Sequence, residues 1–561
     1  MLRRFRRTGT VGAVIVLAAV FAVLAAGCGS SKKSSENATS TAAASASSSG
    51  KTFPLLRVTW DAPDYMDPGL AYTVAAWQIM WNVYAGLVGY SHVSGADGAK
   101  IVPYLAQSLP TITNGGKLYK FTLRPNLKYS DGTPVKASDF PATIERDYKI
   151  DSPGVGFFSA IQGADQFGKT KKGHISGIVA NDAARTITIK LTHPEGDMLN
   201  ILATMFAAFV PAKTPASDQS TKGIPSTGPY KLQSYAPNKS FVVVRNPNFN
   251  GQIPGIPKGN PDKVTGKIVT DPTQALQTVL SGSSDYDFQP IPTDRLAEVK
   301  SKYSSQLHLY TPANTYYFFL NSRVAPFNKL QARQAVNYAI DRNAMLKFFG
   351  GLAQTTQNIL PPNYPEYQKI TPYTHDLAKA KQLVKASGTA GQKVVVYGVN
   401  TDPSKSVVEY LASVLNKIGY KASVKELAHG VYFTTIGNQA TKAQTGWADW
   451  FQDYPSPIDW FDVLFNGNRI TQTHNNNYGN ADYPAVNKEI EALKANPNPT
   501  SDQVVGGWKQ VDKMLIQDNA AAAPFANRVF TDFFGPKVDA SGGCYVNHVL
   551  YQWDFSVICM K

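Results

Sequence analysis

Between Val394 and Glu426 the chain spells out a β-α-β unit. Val394 to Tyr397 is a short continuous apolar run, as in a buried strand. Ser406 to Ile418 follows, with Val407, Leu411, Val414 and Ile418 on one helical face, and Gly419 stands where a left-handed cap belongs. Ala422 to Glu426 then reads as a second strand. Strands joined through a helix of this kind lie parallel, so the region predicts an α/β lobe on a partly parallel sheet. A helix opened by Asp376, with Leu383 and Val384 inward and Gly388 at its end, leads into the unit. From about Thr52 to Lys561 there are about 510 residues, too many for one core, which predicts two or three domains.

The first half carries more strand and turn signals. Leu55 to Trp60 reads as a strand, Asp67-Pro68-Gly69 as a turn, and Ala75 to Gly86 as a helix. Tyr119, Phe121 and Leu123 alternate with polar neighbours, and Thr186 to Leu191 does the same. Ser130 to Pro134 is a turn built on Asp, Gly and Pro. Ser226-Thr227-Gly228-Pro229-Tyr230 leads towards Phe241 to Val244, a buried strand. Later, Gln331 to Asp341 has helical spacing through Ala332, Ala335, Val336, Ala339 and Ile340, and Gly350-Gly351 stops it.

Trp447 to Asp462 is the chemically distinctive stretch, with six aromatic rings, four aspartates and two prolines in sixteen residues. It fits neither helical nor strand period, and Pro455 and Pro457 interrupt backbone pairing, so it predicts a rigid loop. Flat apolar faces beside carboxylates suit an organic cation or an amine-bearing molecule. The same composition also suits an aromatic loop packed over a core with its aspartates in water.

The first residues concern the compartment. Arg3, Arg4, Arg6 and Arg7 precede an uncharged run from Val11 to Ala26, which predicts a secretory signal over residues 1–27. Ala25-Ala26-Gly27-Cys28 resembles a bacterial lipobox, implying cleavage before Cys28 and its lipidation; Ala25 stands where Leu is usual. Residues 28–52, rich in Ser, Ala and Thr, predict a flexible tether. Removing the leader takes away four of 55 basic residues, leaving 51 against 40 acids and a net of +11. The bases are scattered rather than massed, which argues against nucleic acid. Cys544 and Cys559 are the cysteines left, and in an exported chain they predict a disulfide. Zinc needs more ligands than His548 nearby supplies, so no metal is expected.

Several segments together resemble one family. Val102 to Ala106, Phe121 to Arg124, Tyr129 to Pro134, Thr227 to Tyr230 and Arg245 to Phe249 are similar, in order, to the family 5 extracellular solute-binding proteins of oligopeptide and dipeptide ABC importers. Asp67-Pro68 and Tyr84 to Leu87 stand at that family's spacing. Thr315 to Asn321, Pro326-Phe327-Asn328 and Arg333 to Arg342 resemble its second-lobe segments. The resemblance implies a two-lobed α/β fold of the periplasmic-binding-protein kind (type II, cluster C), with an extra subdomain in the first lobe. Its implied divisions are 53–90, 220–313 and 522–561 for lobe I, 91–219 for the subdomain, and 314–521 for lobe II joined by two crossing strands. It implies a monomeric, lipid-anchored receptor outside the cell membrane that binds solute between its lobes. Permease and ATPase subunits are the implied partners, and no cofactor is implied.

By the same resemblance Asp453 matches the aspartate that pairs with a peptide's α-ammonium, and Trp450 the tryptophan beside it. An acid usual before the second proline is replaced by Ser456, and the apolar Val74 to Trp77 stands where some peptide binders carry polar contacts. Trp447, Tyr454, Tyr316, Tyr317, Trp77 and Asn477 complete the expected ligand set. Adjacent Tyr316 and Tyr317 must point to opposite faces, and Trp447 and Asn477 also fit packing and turn roles. Phe525 to Asn527 is the expected hinge. A solute sensor is the alternative function. An exported hydrolase using Asp449, Asp453 and Asp459 is a remote one, since no GxSxG, HExxH, P-loop or complete dinucleotide fingerprint is present.

Overall fold

The computed structural model describes residues 51–496, 501–546 and 553–561. The leader, Cys28 and nearly all of the tether lie outside the described residues, which themselves fall in one compact unit. Two sheets organise that unit. The first has seven strands, with Leu56–Trp60 near its centre. Lys263–Ile268 and Tyr286–Asp287 flank that strand in parallel, and the remaining pairs are antiparallel. The second has six strands in the order Ala353–Thr355, Ala522–Arg528, Asn314–Leu320, Thr445–Phe451, Lys393–Val399 and Lys421–Leu427. Lys393–Val399 and Lys421–Leu427 are parallel and joined by the helix Ser404–Ile418, which Gly419 ends at φ 113°. That β-α-β unit follows directly from the apolar periodicity. A separate four-stranded antiparallel sheet carries Leu118–Thr122 and Thr186–Lys190.

Each large sheet has its own apolar core. Trp60, Trp77, Phe140 and Phe206 lie in the first; Phe318, Leu411, Trp460 and Trp508 lie in the second. Tyr72 and Val463 pack against both, so the two cores meet at a seam. The chain passes between the sheets twice. Leu307–Tyr310 and Asn314–Leu320 bracket the first crossing, and Ala522–Arg528 and Phe530–Phe534 the second. Buried Asn314 ties the crossings together: its side chain donates to the carbonyls of Pro312 (2.8 Å) and Arg528 (2.9 Å) and accepts from the Arg528 amide (2.7 Å). Phe525 to Asn527 therefore lie inside a strand of the second sheet, and the return crossing is at Val529. Residues 522–528 thus belong to the second sheet rather than the first.

Three further elements differ from expectation. The helix predicted over 75–86 is confined to Val74–Met80, because the carbonyls of Asn82 and Val83 turn aside to accept the amides of Tyr230 (3.0 Å) and Gly228 (2.8 Å). A Cβ on Gly228 would sit 2.8 Å from Val83, so glycine permits this approach. The helix Leu330–Ala339 ends before Asp341, whose side chain caps a new short helix at Arg342–Met345 ahead of Gly350. Most importantly, Trp447 to Asp462 is no continuous loop. It contributes most of the strand Thr445–Phe451 and the start of the helix Pro457–Phe465, linked by Gln452 to Ser456. The strand is buried on both faces, which erases polar alternation, and Pro457 occupies the first helical turn, where its missing N–H costs nothing.

Cys544 and Cys559 form a disulfide near the C-terminus.

Candidate functional site

Strand geometry sorts the aromatic residues. Asp449 pairs with Tyr316 and Trp447 with Phe318, so these four share a sheet face. There the Trp447 indole donates to Asp449 Oδ2 at 2.6 Å and its ring lies 5.0 Å from that of Tyr316, against Phe349 and Phe525. Trp450 pairs with Thr315 and points to the opposite face with Tyr317, whose ring lies 6.1 Å from Phe465. Trp447 and Tyr316 thus pack in the second core, away from Trp450. Period-two alternation forces that separation.

Beyond Phe451 the chain turns into the seam. The Tyr72 hydroxyl, from the first core, donates to Asp453 Oδ2 at 2.6 Å, and its ring stands edge-on to Trp450 at 6.3 Å. Phe206 (5.2 Å) and Trp77 (5.8 Å) back the Tyr72 ring, while the Trp77 indole is tied to the Ala71 carbonyl. Tyr454 belongs to the first core, 6.2 Å from Phe157. Ser456 caps the following helix by accepting the Ile458 amide (3.3 Å).

Asp459, in the first turn of that helix, lies beside Asp453. Its Oδ2 accepts from the Asp453 amide (2.8 Å) and the Trp450 indole (3.2 Å), whereas its Oδ1 is buried with no protein donor. The Asp453 and Asp459 carboxyls are thus neighbours, and each charge disfavours the other. Burial pushes the Asp453 carboxyl up to about 7, and burial followed by the Asp453 charge pushes Asp459 up too. Across the seam, burial lifts Asp197 to about 6 and Glu195 to about 7.

The cations nearby are committed elsewhere. Arg469 (2.9 Å) and Lys494 (3.0 Å) converge on Asp462 and hold it below the usual carboxylate range although burial opposes them. Arg469 also donates to the Gly156 carbonyl (2.8 Å) and Ser159 hydroxyl (3.2 Å) of the opposite core.

The loop bearing Tyr72 is held from behind. Asp64 accepts from the Tyr72 amide (2.7 Å) and the Thr73 hydroxyl (2.8 Å). Asp67, fully buried, takes both Arg146 nitrogens (2.5 and 3.0 Å) and the amides of Gly69 and Gln219. The Asp67-Pro68 motif is thus an anchor that aims Tyr72.

Of the expected ligand set, the structure brings Trp450, Asp453, Tyr454 and Trp77 to the seam. Asn477 is not free for it: its amide donates to the Ala481 carbonyl (2.8 Å) and accepts the Ala481 amide (2.8 Å), closing a turn. Tyr72, Phe206 and Asp197 escaped sequence reasoning because nothing local marks them as partners of a segment hundreds of residues away. Asp459 carried a signal, being one of four aspartates in the aromatic stretch. Asp449 lies on the other face, with Trp447, away from Asp459. Among the described residues no group of three or more His, Cys, Asp or Glu is arranged to hold a metal, and no helix is long and apolar enough to cross a membrane.

The model of the bacterial extracellular solute-binding proteins, family 5 Middle, matches residues 100–472, more than half of the chain. The chain belongs to that family. Family 5 members are binding proteins of transporters, not enzymes. Among relatives of this solute-binding protein, the probable D,D-dipeptide-binding periplasmic protein DdpA of Escherichia coli K12 is 25% identical over 473 residues, 82% of this chain and 85% of its own. Among solved structures, the Escherichia coli murein tripeptide binding protein MppA superposes with a TM-score of 0.76 at 21% identity, covering 91% of this chain and 98% of its own. An unliganded open form of MppA gives a TM-score of 0.64 at 22% identity, covering 91% and 99%. The two-sheet architecture is therefore that of periplasmic oligopeptide-binding proteins.

Proposed function

We propose that this protein is the substrate-binding component of an ABC importer, capturing a peptide or a similar amine-bearing solute and passing it to a permease whose partner ATPase supplies the energy. One observation carries the reading: Asp453, an acid buried at the seam, has its carboxyl bonded across to Tyr72, whose ring stands edge-on to Trp450. A buried carboxyl of this kind is costly unless paired, and a solute's ammonium is a fitting partner. The relatives named for dipeptides and murein tripeptide support the solute class.

In this reading the lobes are 53–90, 220–313 and the chain from 530 on one side, 314–528 on the other, with 91–219 as a subdomain. They swing about the crossings at 311–313 and 529. The higher similarity to one MppA structure than to its open form supports the described arrangement as the closed one. Solute contacts made only on closing shift the population towards the form a permease recognises. The leader, Cys28 and the tether then hold a monomer at the outer face of the cell membrane. No chemistry is done on the solute.

Native mass spectrometry of the mature chain from its own host tests this. A bound amine-bearing mass, lost on mild denaturation and at least tenfold weaker in Asp453→Asn, is expected. An Asp453→Asn variant that binds the same solute equally well would refute the role given to Asp453.

A further inference from the structure

Resting on that reading of Asp453, we propose that the Asp453–Asp459 pair holds one positive equivalent at a time: a proton when the seam is closed without solute, and the solute's ammonium in its place when solute is bound. The observation behind this is geometric. Two buried carboxyls are neighbours, with Asp459 Oδ2 accepting the Asp453 amide at 2.8 Å; Asp459 Oδ1 lacks any protein donor, and the Asp453 side chain bridges to the opposite core through Tyr72. The pair's charge is the same in either state, −1: two carboxylates and a proton, or two carboxylates and an ammonium. When an ammonium enters, the shared proton leaves to solvent and charge balances. The solute must carry a protonated primary or secondary amine, since an N-acylated one brings no positive charge.

Among the described residues no other cation is free to serve. The groups facing the pair are the phenols of Tyr72, Tyr90, Tyr364 and Tyr454, the Trp450 indole, and the carboxyl of Asp197 with Glu195 beyond it. Arg469 and Lys494 are held by Asp462. Because the carboxyl is raised in the closed form, closed protein binds the extra proton and is favoured at low pH. Its closed-to-open ratio falls as pH rises above the ordinary 3.8, by up to about tenfold per pH unit while the one shared proton is being lost.

The test is small-angle scattering of the mature chain without solute, at pH 5 and pH 8.5. The radius of gyration is expected to rise at the higher pH. Asp459→Asn, whose amide donates permanently to Asp453 while its oxygen still accepts from the Asp453 amide and Trp450, is expected to stay compact at both. Glu195→Gln with Asp197→Asn is expected to keep the pH response; its loss there would move the switch to those residues and overturn the proposal. At pH 8.5 the tripeptide Ala-Ala-Ala is expected to restore the compact radius and its N-acetyl form not to. A chain closed by Ala-Ala-Ala but indifferent to pH overturns the shared proton alone. A chain that responds to pH but is not closed by Ala-Ala-Ala overturns the exchange and the peptide reading with it.

Discussion

Replacing Arg146 by Met removes the partner of the most deeply buried acid behind the site. Asp67 has no exposed surface and takes two Arg146 nitrogens, at 2.5 and 3.0 Å. Arg146 further donates to the carbonyls of Pro215 (2.8 Å) and Ser217 (2.9 Å), so it fastens the Tyr72 loop to the 215–219 segment. Methionine fills much of the volume but leaves a buried carboxylate with only the Gly69 and Gln219 amides. Breaking a buried pair in this way costs about 3–5 kcal/mol. At a urea slope of about 3 kcal/mol/M, the unfolding midpoint of the first core should drop by about 1 M or more. The double variant Asp67→Asn with Arg146→Met removes the stranded charge and should recover about half of the loss, a coupling of about 2 kcal/mol. Urea titration followed by tryptophan fluorescence reads all three. An Arg146→Met protein within about 1 kcal/mol of the parent would refute the view that the pair anchors this loop.

Trp447→Ala should lower stability by about 3–5 kcal/mol in the same assay while leaving solute affinity unchanged, because Trp447 packs against Tyr316 and Phe525. Trp450→Ala should cost stability as well, because Trp450 is buried in the same core and bonded to Asp459, but unlike Trp447→Ala it should also weaken solute retention in native mass spectrometry. Asn314→Leu should cost about 2–4 kcal/mol in thermal unfolding, since it strands backbone groups of Pro312 and Arg528 at both crossings.

Much of the architecture was legible where one face of an element is apolar. The helix Ser404–Ile418 and its flanking strands follow from spacing alone, as do Leu118–Thr122 and Thr186–Lys190. The strand Thr445–Phe451 was not legible, because a central strand buried on both faces carries no alternation to read. Prolines mislead in the same stretch: Pro457 stops a helix from entering but also suits the first turn of a new one. Asn477 fitted a turn role as well as a ligand contact from sequence, and its amide is spent on the backbone of Ala481.

The amino-acid order settles α/β alternation, a cysteine pair suited to bonding and a stretch dense in rings and carboxylates, because each is a local property of composition or period. The order of residues also carries the family resemblance, since its motifs are mostly turns. Which ring faces which core is different in kind. Tyr72 meets Asp453 across 381 positions, and Arg469 meets the Gly156 carbonyl across 313. Such meetings depend on how two sheets are joined at Asn314 and Val529. The burial that raises the carboxyls of Asp453 and Asp459 exists only once the two cores close over them.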